Sequence, residues 1–203
     1  MDLEPNAPPT QPQWSSVPPP PPEKQKFPVW GWILVVLGVC CCGGIPILAA
    51  ILFPVFSQAK IAAQTTASMS NLKQLNIAFQ IYAADSDDFA MPKENWNEVL
   101  MPYTKAPTLL EDPLLSPSED NLGYGYNGAM SKVEIYRLES PMDQVVFGLT
   151  TSPGKDALIT KDSVRSIHKA SGQTLIGYAD AHVSKVDIPV TKTQGWQPKL
   201  SKK

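Results

Sequence analysis

The stretch "ILFPVFSQAKIAAQ", residues 51–64, sets a proline inside an apolar run and passes directly into a polar, helix-forming pattern with no loop between. A soluble protein has little use for that arrangement, and an ordinary membrane anchor would end in a turn or a flexible linker. Working outward on the N-terminal side, residues 27–59 hold no charged side chain, a run of 33. A helix needs roughly 20 apolar residues to cross the hydrocarbon core of a bilayer, so this run spans with length to spare. Trp30 and Trp32 lie near its start, where aromatic rings favour the boundary between lipid and water. The competing reading, a buried core helix, would leave too little chain to wrap it.

On the C-terminal side, Ile61, Thr65, Ser68, Leu72, Leu75, Phe79 and Tyr82 recur at alternating steps of four and three. That period puts them on one stripe of a helix, with Lys60, Gln64, Lys73 and Gln80 off it. The stripe is polar in its first half and apolar in its second, so firm packing on a domain is expected only from Leu72 onward. The four anchors are then Leu72, Leu75, Phe79 and Tyr82. A helix over residues 47–84 would be about 57 Å long, at ~1.5 Å per residue. It would begin in lipid and end in a soluble fold, with Pro54 bending it where it leaves the bilayer.

The net charge of −2 is spread evenly: residues 1–59 hold two bases and three acids, and residues 60–203 hold fifteen and sixteen. Neither part is basic enough to point to nucleic acid as a partner. Lys24 and Lys26 before the span, against Lys60 and Lys73 after it, favour a cytoplasmic N-terminus by a small margin. All three cysteines are consecutive, Cys40 to Cys42, within the apolar run. Neighbours on one helix point in different directions, so these three build no metal site alone. Val39 is a poor residue ahead of a lipid-modified Cys40. No thiol remains for a disulfide framework or thiol catalysis beyond the span.

Five regions follow. Residues 1–28, with ten prolines, are expected to be a disordered proline-rich tail with polyproline II stretches; it is either a solvated spacer or a ligand for an aromatic-lined groove. Residues 29–56 form the transmembrane helix, with a weak point at Gly43, Gly44 and Pro46, and 57–84 its amphipathic continuation. Residues 85–190 form a globular domain, and 191–203 a loose basic tail. Within the domain, "DSDDFAMP" stops the helix, residues 93–102 suggest a short helix, and residues 103–130 read as a surface loop with turns. "KVEIYRL", "QVVFGLT", "TLIGYA" and "HVSKVDI" read as strands, the last two as a hairpin around Asp180 and Ala181.

Three stretches carry a resemblance: "LAAILFPVFSQAK" (48–60), "SNLKQLNIAFQIYAADSDDFAMP" (70–92) and "IHKASGQTLIGYADAHVSKV" (167–186). They resemble the type IV pilin-like, prepilin-type bacterial membrane proteins carrying a DUF1559-type domain. "SPSEDNLGYGYN" (116–127) is similar to that family's Cys-Pro-Ser and Tyr-Gly-x-Asn segment, with Ser116 in place of the cysteine. The resemblance implies an α+β, pilin-like fold, in which a long N-terminal transmembrane helix continues into a small antiparallel β-sheet domain. It also accounts for the opening stretch, because such a helix serves two solvents and tolerates proline in its membrane half. The usual N-terminal cleavage motif is lacking: Gly31 stands as the possible processing glycine, with Trp32 after it, but Val36 and Leu37 occupy the place of the family's glutamate. Ala181 stands where the family's turn has glycine. Ala at positive φ costs about 1 kcal/mol, which suggests another turn type.

Two clusters are candidates for metal. Asp85, Asp87 and Asp88 could bind calcium, which the resemblance makes more plausible, or form a solvated acidic turn. His168, Asp180 and His182 could supply three ligands; alternatively Asp180 caps the hairpin turn and His182 bonds nearby backbone. No nucleophile elbow, phosphate-binding loop or catalytic carboxylate pair is present. The expectation is a non-enzymatic protein without a required cofactor, single-pass in the bacterial inner membrane, N-terminus cytoplasmic and C-terminal domain periplasmic. Its partners would be lipid, other pilin-like subunits or a type II-like secretion apparatus. The alternative is an uncleaved tether whose proline-rich tail or outer domain binds a partner.

Overall fold

In the computed structural model, residues 28–115, 122–168, 171–190 and 195–202 are described. The proline-rich tail, Ser116 and residues 191–194 lie outside them. The chain divides into two compact units, residues 1–50 and 51–203.

The described part of the first unit is helical. Helix α1 (Val29–Val39) is built from bulky apolar residues and buries none of them. Gly31 and Trp32 lie in its first turns, the Gly31 N–H donating to Pro28 O at 2.8 Å. A π-helical turn, Cys40–Gly44, follows, in which the Ile45 N–H reaches back to Cys40 O. Pro46 explains the widening: it has no N–H to give, and its ring displaces the carbonyl four residues earlier. Helix α2 then runs over Ile45–Asp85, 41 residues with Pro54 inside. Among the described residues, the helical segment Val29–Asp85 is long and apolar enough to cross a membrane once.

From Ile51 onward α2 belongs to the second unit, and its surroundings change along its length. Ile51, Phe53, Val55 and Phe56 are exposed, whereas Thr65, Ser68, Leu72, Leu75, Asn76, Ala78, Phe79 and Ala83 are buried. Packing therefore starts at Thr65, earlier than the apolar stripe predicts. Polar side chains serve there because each finds a partner: the Thr65 hydroxyl donates to Ile61 O at 2.7 Å, and Gln64 Nε2 to Pro113 O at 2.8 Å. The helix stops when Asp87 (φ 52°) and Asp88 (φ 61°) turn left-handed, a conformation Asp tolerates better than most residues. The Asp88 N–H closes the end on Ala83 O at 2.9 Å.

Helix α3 (Trp96–Leu100) buries Trp96 and Leu100. The sheet comprises β1 (Tyr124–Asn127), β2 (Val145–Leu149), β3 (Leu158–Ile159), β4 (Gln173–Tyr178) and β5 (Val183–Asp187), in the order β3-β1-β2-β4-β5. The fold is α+β, but the expected antiparallel sheet is mixed, since β1 and β3 pair in parallel. Two further expectations are corrected. The supposed surface loop contains β1, a fully buried strand. Its Gly125 is required by close packing, because Ile159 Cγ2 lies 2.4 Å from where a Cβ would sit. "KVEIYRL" is not a sheet strand: it makes a 3-10 turn over Ile135–Arg137 and bonds the helix exit, Ile135 N–H to Asp88 O at 2.7 Å.

One face of the sheet packs on α2, with Phe79 against Tyr126 and Phe147 at centroid distances of 6.3 and 6.2 Å. A second cluster combines Val145, Ile159, Val164, Ile176, Tyr178 and Val190. The basic tail, expected to be loose, is held along its described part. Val145 N–H donates to Gly195 O at 3.1 Å, Glu139 N–H to Lys199 O at 3.0 Å, and Ser201 N–H to Arg137 O at 2.8 Å.

Candidate functional site

The surface by which α2 is held starts from residue size. Leu72, Leu75 and Phe79 are wholly buried, and Tyr82 is half-buried with its ring edge-on to Tyr103 at 5.6 Å. At Gly177 of β4 the helix packs tightly on the sheet, against Asn76. Gln80 Nε2 donates to Ala179 O at 2.8 Å, tying the same helix to the end of β4.

Sequence reasoning missed the polar clamp beside this grip. Asp112 is fully buried, and its carboxylate accepts from the Arg165 guanidinium, the Ser68 hydroxyl and, at 3.0 Å, the Leu114 N–H. A buried charge is tolerated only when paired and hydrogen-bonded, and here one carboxylate joins α2, the segment after Leu110 and the segment before β4. A signal was available: the chain has only two arginines among 17 basic residues, and Arg137 and Arg165 both form ion pairs. A rare planar guanidinium in a lysine-rich chain marks a place where fixed hydrogen-bond geometry is used. Close by, burial and then the Asp112 charge push the Tyr124 phenol above the ordinary tyrosine range. Burial does the same to Tyr126, whose hydroxyl donates to Met91 O at 3.1 Å.

Asp180 and His182 are brought together at the tip of the β4–β5 hairpin. Asp180 Oδ1 accepts the His182 N–H at 3.1 Å and pairs with its Nδ1 at 2.5 Å, and the imidazole stacks on Tyr178 at 4.2 Å. Asp180 caps the turn; the His182 imidazole pairs with that carboxylate, and the His182 carbonyl accepts the Tyr178 N–H at 3.0 Å. Ala181 adopts φ 68°, so the turn keeps the positive φ that its alanine was expected to avoid. His168 is not part of this group. It precedes β4, where Ile167 N–H bonds Gln173 O, whereas Asp180 and His182 follow the strand's far end. Six strand residues cover about 20 Å at ~3.3 Å each. Asp85 ends α2 while Asp87 and Asp88 form the turn. Among the described residues, no three His, Cys, Asp or Glu side chains are arranged to hold a metal ion. The candidate ligand sets therefore gain nothing from the fold.

A cleft of about 610 Å³ opens at the β3 edge, between the turn after β1 and the C-terminal segment, with Lys93, Lys161 and Trp196 on its walls. A smaller groove of about 190 Å³ lies beside Ile77 and Ile81 of α2, both partly exposed. Compared with protein-family models, curated proteins and solved structures, the chain matches none.

Proposed function

We propose that this chain is a non-enzymatic, pilin-like structural protein of the pseudopilin type, single-pass in a bacterial inner membrane and part of a secretion or pilus-like assembly. The observation carrying the reading is the change of surroundings along α2. Its apolar residues near Ile51 to Phe56 are exposed, and those from Leu72 are enclosed by the domain. Exposed apolar rows on that scale suit lipid or other helices, not water. In this reading the N-terminus is cytoplasmic, the domain is periplasmic, and Ile77 and Ile81 offer an apolar strip to neighbouring subunits. The second reading, an uncleaved tether binding a partner through its tail or outer domain, is favoured by Val36 and Leu37 standing where the family has its glutamate.

Intact mass and N-terminal sequencing of protein extracted from native membranes test both. A mature chain beginning at Trp32 supports the assembling subunit, and one retaining residues 1–28 supports the tether. Recovery in the soluble fraction after native lysis would overturn the membrane reading altogether.

A further inference from the structure

We infer that the cleft at the β3 edge is a docking site for an acidic peptide in extended conformation, added as a strand beside Leu158. The inference stands on the second unit alone and does not depend on the membrane reading.

Main-chain geometry supplies the first argument. Tyr126 N–H donates to Ala157 O at 2.9 Å, and the parallel pairing sets Tyr126 opposite Leu158 and Asn127 opposite Ile159. In a parallel ladder alternate residues bond one neighbour, so Ala157 and Ile159 face β1. Leu158 turns its N–H and C=O the other way, to the open edge, since β3 ends the sheet. Thr160, next on that side, is already used: its N–H donates to Ser163 Oγ at 2.7 Å, and its carbonyl accepts the Ser163 N–H at 3.1 Å. Among the described residues neither group of Leu158 has another backbone partner, and one such donor and acceptor is what a hydrogen-bonded antiparallel pair requires. An incoming strand would make two main-chain bonds there.

Charge supplies the second. Lys93 and Lys161 both lie on the cleft, and neither ammonium forms an ion pair among the described residues. Among the described residues Asp162 is the one carboxylate lining it, against the two lysines. Shape and polarity supply the third. Leu158 is 42 % exposed, and the half-buried Trp196, whose indole N–H has no hydrogen-bond partner among the described residues, forms another wall. About 610 Å³ accommodates a few residues of peptide. An acidic side chain beside Leu158 would meet Lys93, whose stem lies with Leu158 against Gly128, while apolar side chains on the incoming strand's other face would meet Trp196, which packs with Ile159.

The test uses the full chain in detergent micelles and a fluorescein-labelled Glu-Val-Glu-Val-Glu-Val peptide, read by fluorescence anisotropy. Saturable binding is expected, weakened about 2- to 5-fold by Lys93→Ala or Lys161→Ala, as for exposed ion pairs. Asp162→Asn should tighten it by a similar factor, an increase that misfolding cannot imitate. Methylating alternate peptide nitrogens should abolish it. No saturation below about 1 mM (the weak end of specific binding) would overturn the proposal. So would equal binding of a Lys-Val peptide, or displacement of the probe by free glutarate at equal concentration, which would mark a small-acid site.

Discussion

Gly177 and Asn76 meet where α2 crosses β4, so closely that a Cβ on Gly177 would lie 2.0 Å from Asn76 Nδ2. Asn76 is fully buried and spends its amide on its own helix, Nδ2 donating to Leu72 O at 2.9 Å. A methyl group at 177 must push the helix off the sheet or turn the amide away from that bond. Gly177→Ala should therefore destabilise the domain by about 2–3 kcal/mol, in the range of overpacked cores. Adding Asn76→Ala should recover part of the loss. Thermal unfolding of the two variants, followed by near-UV circular dichroism, checks the coupling; simple additivity would count against the contact.

The Asp112 clamp leads to a second expectation. Replacing Arg165 by Met leaves the buried carboxylate with only neutral partners, and should cost about 3–5 kcal/mol, as does breaking other buried pairs. Converting both residues, Asp112→Asn with Arg165→Met, should cost clearly less than the single Arg165 change. Urea unfolding midpoints measure both.

Alkaline pH acts through Tyr124 and Tyr126. Both phenols are raised in the folded protein, chiefly by burial, so the folded state holds their protons where the unfolded chain has lost them. Their contribution is complete below the unfolded value of about 10 and is lost progressively above it. Stability should fall by up to ~1.4 kcal/mol per pH unit for each tyrosine. Denaturant midpoints between pH 8 and 11.5 test this, and Tyr124→Phe should flatten the fall.

At the hairpin tip, Ala181 holds φ 68°, a region glycine occupies without penalty. Ala181→Gly should stabilise by up to about 1 kcal/mol, visible as a small rise in melting temperature. A fall would mean that the Asp180–His182–Tyr178 stack depends on the alanine.

How much of this was readable in the sequence depends on how local the cause is. The face carrying Leu72, Leu75 and Phe79 shows in the period of α2, because burial there follows the helix turn. β2, β4 and β5 show in their β-branched runs, and the tip at Asp180 in the short gap between two such runs. β1 was hidden because "YGYN" reads as turn residues; its glycine answers to Ile159, 34 positions away. Ser68 read as part of the unpacked half of the stripe, ahead of Leu72, because its partner, Asp112, lies 44 residues on. The parallel pairing of β3 was hidden for the same reason, since two residues carry no pattern. Of the residues singled out for chemistry, proximity in sequence joined Asp180 to His182, and no local rule could say that His168 stays at the other end of the strand.

The bonding of the C-terminal segment has a consequence for the order in which the molecule can be completed. Gly195, Lys199 and Ser201 close on Arg137, Glu139 and Val145, so the entrance to β2, in the middle of the sheet, is sealed by residues synthesised after β5. A chain still emerging from a ribosome or a translocation channel has its helix and most of its strands but not this seam. The sheet must wait, open at that point, until residues 195–201 arrive.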